Sequence, residues 1–119
     1  MMTIQRYETG PRMSQAVECN GFVFLAGQVA SDTSLDAGGQ MVQVLAAIDR
    51  LLQAAGSDKT RIVSATVWLP NIDDYAAVNV GWDAWVPAGH APARACVEAR
   101  LAAPGYRVEV GIVAASRPR

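Results

Sequence analysis

Apolar and polar positions along this chain fall into two rhythms, period two and period 3.6, and the switches between them mark its elements. A short strand over about Thr3 to Glu8 is closed by Gly10-Pro11, a turn signal. Ser14-Gln15-Ala16-Val17-Glu18-Cys19 and Phe22-Val23-Phe24-Leu25-Ala26 then flank Asn20-Gly21. Asn-Gly between two apolar runs predicts a tight hairpin, because both central residues of a type I′ turn need positive φ. Gly27-Gln28 ends the second run, and a polar, glycine-bearing loop is expected from Ser31 to Gly39. Met41, Val44, Leu45, Ile48, Leu51, Leu52 and Ala55 then recur at i, i+3, i+4, i+7 spacing. That is an amphipathic helix, with Gln43, Asp49, Arg50 and Gln53 on its other face. Gly56 stands where a glycine ends a helix in the left-handed region.

Period two returns over Arg61 to Leu69, a strand stopped by Pro70. Asn71 caps a second helix with Asp73 and Asp74 in its first turn, and its apolar side is Ile72, Tyr75, Val78, Trp82 and Trp85. Pro87-Ala88-Gly89 closes it. Two further alternating runs end the chain, Pro92 to Glu98 and Arg107 to Val113. The seven residues Ala99 to Gly105 between them suit a hairpin with a loose loop. The order β-β-β-α-β-α-β-β predicts an α+β domain, two helices packed on one face of a mostly antiparallel sheet. No internal repeat, low-complexity segment or linker divides it, so residues 1–119 are expected to form a single domain.

Composition narrows the function classes. Half of the residues are hydrophobic (51%) and only 18% are charged, so apolar surface is expected to remain once one small core is filled. A second copy of the chain is the natural cover for it. Net charge is −1 with no run of lysines or arginines, which argues against nucleic acid as a partner. The first residues, Met1 to Tyr7, lack a secretory signal pattern, and no apolar run approaches a membrane span. A cytoplasmic location with no membrane partner is the expectation. Cys19 and Cys96 then read as free thiols. Their spacing, with the single His90, matches no metal pattern, and Gly38-Gly39 matches no nucleotide loop. No metal or cofactor is expected.

Candidate chemistry concentrates in the last two runs. Alternation puts Arg94, Cys96 and Glu98 on one face of the first, and Arg107, Glu109 and Gly111 on one face of the second. If the runs pair as a hairpin, the uncovered face of the sheet carries a guanidinium, a thiol and carboxylates around a glycine gap. Arg94 is strand-mounted and its planar fork matches a carboxylate ligand, but pairing with Glu98 or Glu109 on the surface is the competing reading. Glu109 suits accepting a proton from water, or equally a structural ion pair. The guanidinium beside Cys96 would favour a thiolate, yet no histidine is placed as its base, so a pocket-lining role is the simpler assignment. Trp82 and Trp85 read as core or interface anchors.

Ser14-Gln15-Ala16-Val17, Phe24-Leu25-Ala26-Gly27-Gln28, Asn79, Pro92-Ala93-Arg94-Ala95-Cys96-Val97-Glu98 and Val108-Glu109-Val110 together resemble the RidA/YjgF/YER057c/UK114 family of reactive-intermediate deaminases. The similarity runs from about Gln5 to Ala114, and its most specific part is the proline-alanine-arginine strand followed at fifteen residues by the glutamate. The resemblance implies a chorismate-mutase-like (YjgF-like) fold assembled as a homotrimeric barrel, with helices outside and sites between subunits. It implies hydrolysis of 2-imino and 2-enamino acids, such as 2-iminopropanoate and 2-aminoacrylate, to 2-keto acids and ammonia without a cofactor. By that similarity Arg94 binds the substrate carboxylate and Glu109 positions or activates water. Cys96 lines the pocket with its backbone, Gly27 contributes backbone near the imine, and Asn79 belongs to the site.

The sequence also departs from the family pattern. Met13 stands where the deaminases usually carry an interface-crossing tyrosine, the Leu101-Ala102-Ala103-Pro104 loop is longer than the usual leucine-proline, and Gly111 replaces a frequent acidic residue. A divergent branch is implied. Besides the imine hydrolase, a non-catalytic binder of small carboxylates such as 2-keto acids remains open, as does a chaperone-like or RNA-cleaving role claimed within the family. The absence of a basic patch weighs against RNA.

Overall fold

In the computed structural model, which describes residues 3–118, the chain forms β1 (Ile4–Thr9), β2 (Ser14–Cys19), β3 (Phe22–Gln28), α1 (Ala37–Ala54), β4 (Ile62–Leu69), α2 (Tyr75–Trp85), β5 (Ala93–Glu98) and β6 (Glu109–Ala115). The expected order holds. Asn20 and Gly21 both take positive φ (53° and 82°), as the type I′ hairpin requires, and Gly56 ends α1 at φ 85°. Helix α1 begins inside the stretch read as loop. Asp36 caps it, its Oδ1 accepting from the Gly39 N–H at 2.8 Å, so Gly38 and Gly39 lie in its first turn. Asn71 caps a single 3-10 turn (Ile72–Asp74) that leads into α2 rather than α2 itself.

The six strands form one sheet in the order β1-β2-β3-β6-β4-β5. The last two strands are therefore not a hairpin. Strand β4 lies between them, antiparallel to β6 and parallel to β5. The reason is the crossover: β4-α2-β5 packs α2 on the same face as α1, and such a unit delivers β5 parallel to β4 at the sheet edge. The ten residues 99–108 then carry the chain back past β4 to β6, a reach well within ~30 Å of extended chain.

Both helices cover one face. Val23, Leu25, Ala65, Val67, Val110, Ile112 and Ala114 from the sheet meet Met41, Val44, Leu45, Ile48, Leu51, Leu52, Val78 and Trp82 from the helices. The other face is bare and partly apolar: Phe22 and Phe24 on β3 are 41% and 47% exposed, Ile4 on β1 49% and Val97 on β5 45%. Among the described residues no helix is long and apolar enough to cross a membrane.

Candidate active site in two halves

Register decides which side chains share a face. Arg94 pairs with Ala65 and Cys96 with Val67, and those partners pair onward with Ile112 and Val110, all beneath the helices. Glu109 pairs with Trp68 on the alternate, uncovered side. Arg94, level with Ile112, and Glu109 thus lie on opposite faces of the sheet, two strands (~10 Å) apart across it and three residues (~10 Å) apart along it. The shared polar face expected from a hairpin does not exist, because inserting β4 changes which positions are neighbours.

The Arg94 half is built by β5 and α2. Tyr75, Asn79 and Trp82, at helical i, i+4, i+7 spacing, present one face of α2 to the strand. The guanidinium carbon sits 5.0 Å from the Trp82 ring centre and 5.9 Å from that of Tyr75. One Arg94 nitrogen (Nη2) donates to the Tyr75 hydroxyl at 3.5 Å, at the limit of a hydrogen bond. The other, Nη1, is buried with no partner among the described residues, and so is Asn79 Oδ1. Neither expected carboxylate is used: Glu98 instead accepts from the Ile72 N–H at 3.0 Å. A partly buried cation held over two aromatic faces and left without an anion is a costly arrangement, and an incoming carboxylate removes the cost.

Cys96 follows on the same face and packs against the core. Burial pushes its thiol up, and the Arg94 charge opposes this only in part. Desolvation therefore outweighs the guanidinium that would favour a thiolate. Strand β5 is the sheet edge, so half of its backbone groups have no strand partner, consistent with a pocket lined by backbone at Cys96.

The Glu109 half lies on the bare face, in a cleft of about 350 Å³ lined by Met13, Gln15, Gly27, Gln28, Ala102 and Tyr106, among others, together with Glu109. Gly27 sits at the irregularity between Leu25 and Gln28 where β3 meets β6. A Cβ there would run into the Glu109 carboxylate, approaching its Cδ to 2.9 Å. Only glycine lets the carboxylate lie flat against that backbone. Gln28 completes the wall, its amide donating to Gln15 Oε1 at 3.0 Å and to the Ala26 carbonyl at 2.9 Å. Met13, 52% exposed, stands at the mouth. Gly111 is also explained: a Cβ there would lie 3.0 Å from the Trp68 ring, so the ring occupies the space an acidic side chain would need.

One set of predicted residues therefore gathers as Arg94, Cys96 and Asn79, and the other as Met13, Gly27 and Glu109. Tyr75, Trp82, Gln15, Gln28 and Tyr106 join them, none of which the sequence had named as a site residue. The 3.6-residue spacing of Tyr75, Asn79 and Trp82 was the signal available for the aromatic floor. Among the described residues no three His, Cys, Asp or Glu come together as metal ligands.

Comparison with known proteins agrees with this architecture. Residues 3–116 match the family model described as Endoribonuclease L-PSP. A RutC family protein of Haemophilus ducreyi is 46% identical over 112 residues, covering 94% of this chain and 96% of its own. The chain belongs to the RidA/YjgF family. A crystal structure of a YjgF family member from Neisseria meningitidis superimposes with a TM-score of 0.94 at 47% identity, covering 98% of each chain. Within the same family, a protein of Capra hircus named 2-iminobutanoate/2-iminopropanoate deaminase is 35% identical over 114 residues, covering 88% of this chain and 80% of its own.

Proposed function

We propose that this RidA/YjgF protein hydrolyses small 2-imino acids and their 2-enamino tautomers to 2-keto acids and ammonia, at sites completed between copies of the chain. The observation that carries this reading is Arg94, a strand-mounted guanidinium whose buried Nη1 has no partner, and which makes no ion pair, among the described residues. It suits the carboxylate common to substrate and product. The name borne by the Capra hircus relative supplies the reaction class.

The chemistry asks little of the protein. The protonated imine is already electrophilic at C2. Water adds to C2 while Glu109 takes one of its protons, giving a carbinolamine. Glu109 returns the proton to nitrogen, the C2–N bond breaks, and the oxygen's remaining proton leaves with the nitrogen as ammonium while the C2=O bond forms. Orienting the carboxylate on Arg94 relative to Glu109 makes the addition effectively unimolecular.

Arg94 and Glu109 on one chain cannot hold one small molecule, since the sheet lies between them. A second copy can bring its Glu109 cleft to the first copy's Arg94. The bare sheet face with Ile4, Phe22, Phe24 and Val97 exposed supports such an assembly, and three sheets closing into a barrel with helices outside is the arrangement we favour. A cytoplasmic, cofactor-independent enzyme acting on a freely diffusing metabolite is the corresponding setting.

The second reading is a carboxylate binder without catalysis, favoured by Met13, which puts a thioether at the mouth of the Glu109 cleft where a hydrogen-bond donor would help chemistry. Generating 2-imino acids in place with an amino-acid oxidase and following their loss tests both. Acceleration that disappears in Arg94→Ala and falls in Glu109→Ala supports the hydrolase. Arg94-dependent binding of 2-ketobutanoate with no acceleration for any side chain selects the binder.

A further inference from the structure

The least expected polar group in the core is Gln40 of α1, whose side chain is fully buried. Its Nε2 donates to the Gly105 carbonyl at 3.0 Å and to the Leu35 carbonyl at 3.1 Å, with the Thr33 carbonyl at 3.5 Å. Its Oε1 accepts from the Arg107 N–H at 2.9 Å. Gly105 and Arg107 are the two neighbours of Tyr106. A buried amide that binds the chain on both sides of one residue fixes that residue's direction, and burying it is tolerable only because its polar atoms are satisfied. Two more contacts tighten the same point. The Tyr106 N–H donates to the Ala103 carbonyl at 3.2 Å, and a Cβ on Gly105 would lie 3.0 Å from the Thr33 side chain.

What is held is the wall of the Glu109 cleft. Tyr106 lines that cleft and also a second hollow of about 380 Å³, which Pro70, Arg100, Leu101, Ala103 and Pro104 line in part. Tyr106 and Ala102 are the residues common to the two hollows, one holding Glu109 and the other lined mostly by aliphatic side chains. The Tyr106 hydroxyl makes no hydrogen bond among the described residues, whereas the Gln28 amide across the cleft is already engaged. An O–H donor carried on a fixed stretch of backbone, left open on a residue that lines the cleft with Glu109, is suited to a ligand.

We infer that Tyr106 is a substrate-contacting residue: its hydroxyl hydrogen-bonds the oxygen that hydrolysis places on C2, and its ring sets how far the substrate's side chain extends toward the second hollow. This rests on the proposed imine hydrolysis and adds to it the donor that Met13 does not supply.

Tyr106→Phe removes the hydroxyl and keeps the ring. It is expected to lower kcat/KM for 2-iminopropanoate by ~10-fold and to weaken 2-ketobutanoate binding, read by calorimetry, by a similar factor, with unchanged Tm and oligomeric mass. Tyr106→Ala is expected to raise kcat/KM for the imines of leucine and methionine relative to that of alanine, because it joins the two hollows. Wild-type kinetics and keto-acid affinity in Tyr106→Phe would overturn the role of the hydroxyl while leaving the hydrolase reading intact. A wild-type protein that binds keto acid without hydrolysis, with affinity lost in Tyr106→Phe, would retain Tyr106 as a ligand contact and remove the reaction. A wild-type protein that does neither would overturn both.

Discussion

Arg94 and Glu109 stand fifteen residues apart in the chain and on opposite faces of one sheet, and their surroundings differ as much as their positions. Arg94 lies on the helix-covered side, over Trp82 and Tyr75, with one nitrogen buried and unpaired among the described residues. Glu109 lies on the bare side against a glycine, in a cleft whose wall is tied by the Gln28 hydrogen bonds. The first half lacks an anion and the second lacks a covering surface. In the proposed two-copy site, each supplies what the other lacks. Incompleteness within the chain is therefore informative about assembly, whereas a site finished within one chain carries no such implication.

The largest effect is expected where the two halves are separated on purpose. Arg94→Ala should cost ~100-fold or more in imine hydrolysis, since a bidentate charge-assisted contact is lost, while Tm holds or rises because an uncompensated charge is removed. Co-expressing Arg94→Ala with Glu109→Ala sharpens this. Random mixing restores an intact Arg94–Glu109 pair at roughly one site in four if the halves come from different copies. A mixture as inactive as either variant would break the two-copy site.

Next comes the backbone under Glu109. Gly27→Ala pushes the carboxylate away from its present place, so activity should fall ~100-fold with about 1–3 kcal/mol lost from stability. A variant with full activity would mean that the position of Glu109 does not matter. Denaturant unfolding and initial rates together separate the two effects.

A smaller difference concerns Cys96, two residues from Arg94. Because burial pushes its thiol up, alkylation at Cys96 should stay slow until the pH passes the ordinary thiol value of about 8.5, and Cys96→Ser should keep most of the hydrolytic rate. Peptide mapping of label across pH checks the first expectation. Fast labelling at neutral pH would show that Arg94 dominates the thiol after all.

The smallest effect lies away from both halves and serves as a control. The Thr60 hydroxyl, then the Thr60 N–H and the Arg117 guanidinium, hold the Asp58 carboxyl below the usual carboxylate range. A depressed carboxylate stabilises the fold above its unfolded value, and that contribution disappears as pH falls through the folded one. Asp58→Asn should cost about 1 kcal/mol at pH 7 and close to nothing near pH 2, measured by urea unfolding. Imine hydrolysis at pH 7 should be unaffected.

Much of this was legible from residue pattern. Asn20-Gly21 specified its hairpin because few residue pairs tolerate two positive φ angles, and α1 followed from a 3.6-residue apolar stripe. Motif residues named Arg94, Glu109, Gly27 and Asn79. Strand pairing was not legible, because the alternation of Pro92–Glu98 is the same whether its neighbour is β6 or β4. The mistaken hairpin then put Arg94 and Glu109 on one face. The α1 start at Asp36 was hidden by Gly38 and Gly39, which weaken a helical pattern although a capped first turn accommodates them.

What the amino-acid sequence determined by itself is local: which segments alternate, which turn, and which side chains carry charge or a hydroxyl. Those properties depend on backbone sterics and on neighbours a few residues away. The tertiary structure alone decided that β4 lies between β5 and β6, and that Trp82 and Tyr75 form the floor under Arg94. It also placed Gln40, 66 residues before Tyr106, where it holds the chain on both sides of that residue. Such contacts join segments far apart in the chain, and they exist only after the crossover and the helix layer have put those segments together.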